Sequence, residues 1–138
     1  MEKYKHLVQY YETDKMGVTH HSNYIRWMEE ARVAFLKNIG WDFSKLESLG
    51  IISPVVNVEC QYKLSTYFED EVFIDVTVEE FKGVKLILKY EMTNDAGKVV
   101  ATAKSVHCFM DENGRPIRIE RQYPDFYKAI IDNCPSQL

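Results

Sequence analysis

The chain has 138 residues, 46% of them hydrophobic and 28% charged, with a formal net charge of −4. That length fits one domain, spanning 1–138, whose core needs no disulfide or metal to hold it. The acidic balance argues against a phosphate-backbone partner, and the apolar runs are far too short to span a bilayer.

In chain order, Met1 to His6 has no apolar stretch of the secretory kind, so the expected location is the cytoplasm. Tyr4 to Tyr11 alternates loosely and predicts a strand. A loop from Asp14 to Asn23 follows. From Asn23 the period changes: Tyr24, Trp27, Met28, Ala31, Phe35 and Ile39 recur at three- and four-residue spacing. This predicts one long helix of about four turns with a broad apolar face. Ser22 or Asn23 is the expected N-cap and Gly40 the expected stop. Trp41 to Gly50 reads as a helical turn and a loop.

Everything after that is β until the tail. Extended runs are expected from about Ile52 to Leu64, Val72 to Phe81, Val84 to Met92 and Val99 to Met110. Val72, Ile74, Val76 and Val78 share one face, and Leu86, Leu88 and Tyr90 another. Lys82-Gly83 and Asn94-Asp95-Ala96-Gly97 mark turns. A short helix is expected from about Pro124 to Ile131, with Cys134 to Leu138 frayed. Strands joined by short turns pair antiparallel. One long amphipathic helix is available to cover the sheet, so the expected fold is α+β, a five-stranded antiparallel sheet curved around a central helix. Phe73 and Ile87 fall on the outer face and suggest that subunits associate.

The chemistry concentrates in the loop. Asp14 is an acid at the end of the first strand, able to act as general base or nucleophile, or simply to form a turn or cap. Gly17 permits a positive φ and close approach. The helix start carries unsatisfied N–H groups and the positive end of the helix dipole. Together these are the parts of an oxyanion hole for acyl transfer. His20 and His21 are adjacent. In an extended segment they point apart, so no shared metal is expected. His6 and His107 read as packing or surface residues. Cys60, Cys108 and Cys134 have no metal-like spacing and read as unbonded thiols in a reducing cytoplasm, filling core space.

Tyr10-Tyr11-Glu12-Thr13-Asp14-Lys15-Met16-Gly17-Val18-Thr19-His20-His21-Ser22-Asn23-Tyr24, followed by Glu29-Glu30-Ala31-Arg32, resembles the signature of the hotdog-fold acyl-CoA thioesterases. The similar group is the hydroxybenzoyl-CoA thioesterase-like family. Weaker similarity falls at Tyr62, Asp70 and Arg115-Pro116. The resemblance implies a hotdog fold, an active site at the interface of a homodimer or homotetramer, and acyl-CoA as substrate with no metal or organic cofactor. It implies Asp14 as the catalytic carboxylate and His21 as the residue whose backbone N–H takes the oxyanion. Gly17 and Tyr24 would contact substrate or support the site. Several residues depart from the family pattern. Glu12 replaces an aspartate, Thr19-His20 an apolar-aromatic pair and Ser65 a proline, and Val84 stands after Gly83 where Ser or Thr is usual. Lys63, Lys82 and Lys85 are basic residues on strand ends that either meet CoA phosphates or are simply solvated. Two other functions remain open: a hotdog enoyl-thioester hydratase or dehydratase, and a non-catalytic acyl-CoA-binding module.

Overall fold

The computed structural model describes residues 3–134. Of the Cys134–Leu138 stretch expected to fray, 135–138 therefore lie outside the described residues, whereas Cys134 is buried in the core. Five strands form one antiparallel sheet: β1 (Tyr4–Leu7), β2 (Val55–Tyr62), β3 (Glu71–Lys82), β4 (Lys85–Thr93) and β5 (Val99–Cys108), in the order β1-β3-β4-β5-β2. Helix α1 (Ser22–Asn38) packs on one face. Short helices α2 (Phe43–Ser48), α3 (Ile119–Gln122) and α4 (Pro124–Ile131) follow the long helix or close the far end. This is the expected α+β arrangement.

The alternation read from the strands holds in space. Val72, Ile74, Val76 and Val78 are buried beside Leu86, Leu88, Tyr90 and Met92. The inner row Val76–Tyr90–Ala103–Cys60 crosses four strands in register. Trp27, Met28, Ala31, Phe35 and Leu36 of α1 face this layer. Strict alternation would turn Phe81 outward, yet it is buried. A register shift between Val78 and Glu80 supplies the extra residue that returns it to the core. The first strand is shorter than its tyrosine-rich run suggested. It ends at Leu7, and Tyr10–Glu12 form a 3-10 turn.

The topology brings the loop and β2 together. Four successive antiparallel pairings make the two edge strands, β1 and β2, run the same way. Both therefore end at one end of the sheet, where α1 begins. The segment from Lys63 to Asp70 leaves β2 there and passes to β3, which lies next to the opposite edge strand β1. On the way it crosses the loop: Thr19 N donates to Thr66 O at 2.9 Å, and Val18 bridges Tyr67.

The outer sheet face is more polar than Phe73 and Ile87 alone implied. Asp75, Thr77, Lys89, Glu91 and Lys104 occupy it, with Lys104 Nζ 2.9 Å from Glu79 Oε1. The largest apolar exposures are Tyr10, Tyr11 and Met16 before α1, and a further group lies on and beside β2, where Val56 is 54% and Tyr62 48% exposed.

Candidate active site

The site is built on Glu12. The residue is 4% exposed. Oε1 accepts from Gln9 N at 2.8 Å and lies 2.8 Å from His6 Nε2, while Oε2 accepts from Trp27 Nε1 at 2.7 Å. One side chain thus ties β1, the 3-10 turn and α1. Burial alone would raise its pKa, but the donors from Gln9, His6 and Trp27 outweigh that and hold it below the usual carboxylate range. Its backbone carbonyl accepts from His20 N at 2.8 Å and from Asn23 Nδ2 at 3.0 Å. Asp14, two residues on, leaves a doubly fixed base.

From Thr13 the chain makes a tight reversal. Thr13 bridges Thr19, and Asp14 N donates to Val18 O at 2.8 Å. Asp14 Oδ1 accepts from Met16 N at 2.8 Å and from Val18 N at 3.2 Å. Asp14 is therefore a turn former, as one reading of it held. That role occupies a single oxygen. Oδ2 makes no hydrogen bond among the described residues, and the side chain is exposed. Gly17 has φ +78°, and a Cβ there would meet nothing within 4 Å. Its dihedral requires glycine; close approach does not. Gly17→Ala is expected to cost about 1–2 kcal/mol of left-handed strain, visible as a lower melting temperature together with lower turnover if this loop is catalytic.

The helix start corrects two expectations. The N-cap is His21, not Ser22 or Asn23, and no side chain caps it in the usual way. Asn23 is drawn inward to hold Glu12 O and His20 O, and Ser22 N instead donates to His20 Nδ1 at 3.3 Å. The segment is also not extended. His21 already has helical dihedrals (φ −57°, ψ −27°), so the His20 and His21 rings stack with centroids 4.3 Å apart and do not point apart. The N–H groups of Ser22, Asn23 and Tyr24 are taken within the turn. The N–H of His21 makes no hydrogen bond among the described residues. It is the unused donor at the positive end of the helix.

Beside it lies a groove of about 410 Å³, lined among others by Val18, Thr19, His21, Tyr24, Tyr62 and Leu64. Tyr62 Oη donates to His21 O at 3.3 Å, and its ring meets that of Tyr24 edge-on at 5.0 Å. Behind the wall, the Tyr24 hydroxyl is 3.0 Å from Thr66 Oγ1, which donates to Thr19 Oγ1 at 2.7 Å. Burial raises the Tyr24 phenol, so it stays neutral and serves this chain as a hydroxyl. Thr66→Val would remove the side-chain partner of the buried Tyr24 hydroxyl, while Thr19 Oγ1 keeps its bond to Thr66 O at 3.1 Å. The expected loss is about 1–3 kcal/mol in a denaturant melt.

Of the residues singled out in the sequence, His21 and Tyr24 line the groove. Asp14 and Gly17 sit on the loop outside its lining within one chain. Tyr62 and the Thr19–Thr66 pair were not among the site residues expected from sequence. Their role comes from the crossing of two segments distant in the chain. Burial pushes the Cys60 thiol up, the wrong direction for a nucleophile. A larger concavity of about 480 Å³ lies elsewhere, among Asp75, Thr77, Lys89 and Lys104, and contains none of the loop residues.

Residues 8–130 match the thioesterase-like superfamily. YneP of Bacillus subtilis (strain 168), provisionally named an acyl-CoA thioesterase, is 35% identical over 123 residues, covering 88% of this chain and 89% of YneP. The solved DHNA-CoA thioesterase of Staphylococcus aureus superposes with a TM-score of 0.89 at 32% identity, covering 95% of this chain and 89% of that one. The gentisyl-coenzyme A thioesterase BH1999 superposes with a TM-score of 0.80 at 29% identity, covering 87% and 97% of the respective chains.

Proposed function

The chain belongs to the thioesterase-like superfamily of hotdog enzymes, and from that premise we propose that it hydrolyses an acyl-CoA thioester to a free carboxylic acid and CoA. The observation that carries the proposal is one loop holding two unspent groups. Asp14 Oδ2 is a carboxylate oxygen with no internal partner, and the His21 N–H is a donor with no internal acceptor. The groove at His21 supplies apolar walls.

In the reaction the His21 N–H and the helix dipole stabilise the oxygen of the thioester carbonyl as negative charge develops there. Asp14 acts in one of two ways. As nucleophile, Oδ2 bonds the carbonyl carbon, the C–S bond breaks, CoA leaves as thiolate, and water cleaves the resulting anhydride. As general base, it takes a proton from the attacking water, and the same C–S bond breaks. The Tyr24 ring forms part of the wall against which the acyl group lies. Gly17 gives the loop the turn that lifts Asp14 outward. The His21 ring helps orient thioester or water.

Because Asp14 stands outside the groove of its own chain, the active site is proposed to close at a subunit interface. β2 is an eight-residue edge strand whose free side and flanks carry exposed Val55, Val56, Tyr62 and Leu64. A second copy pairing along this edge would satisfy its backbone and cover those side chains. Dimers of dimers follow the same reading. Among the described residues no helix is long and apolar enough to cross a membrane, and the proposed location is the cytoplasm.

The test is release of free CoA thiol from a panel of acyl-CoAs by the purified protein. Thiol release with no hydration of crotonyl-CoA is expected. Hydration without thiol release would mean a hydratase, and binding without turnover a carrier.

A further inference from the structure

The stripe that α1 turns toward the sheet is apolar apart from one cation. Arg32 is 7% exposed among Met28, Ala31, Phe35 and Leu36. Among the described residues no carboxylate lies within 4.0 Å of it, and its guanidinium makes no hydrogen bond. Its Cζ sits 5.1 Å from the Phe43 ring centroid. A guanidinium offers five donors in a planar fork. None of the five finds an acceptor among the described residues, and none of the guanidinium nitrogens is closed off from solvent, so the fork is open to whatever fills the space beside it. Burial lowers the Arg32 pKa. The same positive charge adds to burial in holding His107 down, to about 4. Tyr90 and Glu29 favour the cation from a distance, and neither hydrogen-bonds or ion-pairs with it.

Arg32 does not face solid protein. It lines a cavity of about 240 Å³ with Phe43, Leu46, Ile51 and Ile52, Ser53 beside them and exposed Glu47 at the rim. That volume equals about eight waters of liquid, enough for a carboxylate and a short hydrocarbon. The walls are apolar where the stem would lie, and the one buried polar group is a fork shaped for two carboxylate oxygens.

We propose that Arg32 and this cavity bind an organic carboxylate carried on a short apolar stem, either as a free acid or as the far end of a dicarboxylic acyl group. The carboxylate site stands without the thioesterase reading; only its assignment to an acyl terminus rests on that reading. Geometry favours the acyl terminus. Ile52 and Ser53 immediately precede β2. Antiparallel pairing of β2 about a two-fold axis brings the segment entering one copy's β2 beside the segment leaving the other's. The leaving segment lines the groove at His21. The Arg32 cavity of one subunit thus adjoins the groove of the second.

Two arms test this on the purified full chain. In the first, hexanoate is titrated and followed by NMR, with hexanol as the uncharged control. Hexanoate should bind the parent protein, bind Arg32→Lys more weakly, and lose at least tenfold in affinity for Arg32→Met, while hexanol is indifferent to the substitution. In the second arm, kcat/KM for adipyl-CoA is divided by that for heptanoyl-CoA, and this ratio should fall at least tenfold in Arg32→Met. A fall in both arms assigns the acyl terminus. Loss of hexanoate binding with an unchanged ratio, or with neither thioester hydrolysed, keeps the site and makes the free acid its ligand. Hexanoate affinity that does not depend on Arg32 overturns the proposal. So does a melting temperature lowered by Arg32→Met together with loss of the dimer, since Arg32 would then be an internal or interfacial structural charge. With an empty site, removing an unpaired buried cation should hold or raise the melting temperature.

Discussion

Glu12→Ala is expected to destabilise the protein by about 3–5 kcal/mol, the usual cost of removing one partner from a buried charged cluster. The Trp27 Nε1–H, the Gln9 N–H and the buried His6 ring would all lose their shared acceptor at once. For a chain of this size the melting temperature should fall by about 10 °C or more. Glu12→Gln keeps the shape and one acceptor oxygen, so it should cost less. The same carboxylate predicts a pH dependence. Its pKa is lower folded than unfolded. The stability it contributes is therefore present above the ordinary glutamate pKa and is lost as pH falls through the lowered folded value. Chemical denaturation from neutral to acid pH should show this loss in the parent protein and a shallower one in Glu12→Gln. An identical acid limb in both would contradict the assignment.

What sequence could and could not show divides along chain distance. The buried faces of β3 and β4, the α1 stripe and the Pro124–Ile131 helix were legible because period-2 and period-3.6 patterns are local. Phe81 needed a bulge, which no local pattern at Lys82-Gly83 marks. Glu12 read as a mere departure from a family aspartate. Its burial depends on His6 from β1 and Trp27 from α1, and only packing brings these together. Asp14, Gly17, His21 and Tyr24 were legible as a cluster, since they lie within eleven residues of chain. The misplaced N-cap has the same origin as the missed Glu12. Asn23 has a capping side chain, but a buried backbone carbonyl eleven residues earlier claims it. Tyr62 and Thr66 meet the loop only because the two edge strands run in the same direction.

Asp14→Asn should abolish most turnover while leaving the fold in place. The structural half follows from the hydrogen bonds: an asparagine Oδ1 accepts from Met16 N and Val18 N as the aspartate does, so the turn survives. The chemical half follows from Oδ2. Asparagine puts an amide nitrogen there, which neither attacks a thioester nor takes a proton from water. Loss of a general base alone costs about 10²–10⁴-fold in rate, and loss of a nucleophile costs at least as much because the two-step route disappears. Single turnover in heavy-oxygen water separates the roles. Label should enter Asp14 only if its carboxylate attacked and water then opened the anhydride at the Asp14 carbonyl; label confined to the acid fits a general base or water attack at the acyl carbon. The most direct measurement is kcat for CoA release from an acyl-CoA substrate by the parent protein and by Asp14→Asn, with matched thermal melts. The account predicts superimposable melts and a kcat lower by orders of magnitude in the variant. Near-normal kcat in a folded Asp14→Asn protein would contradict it.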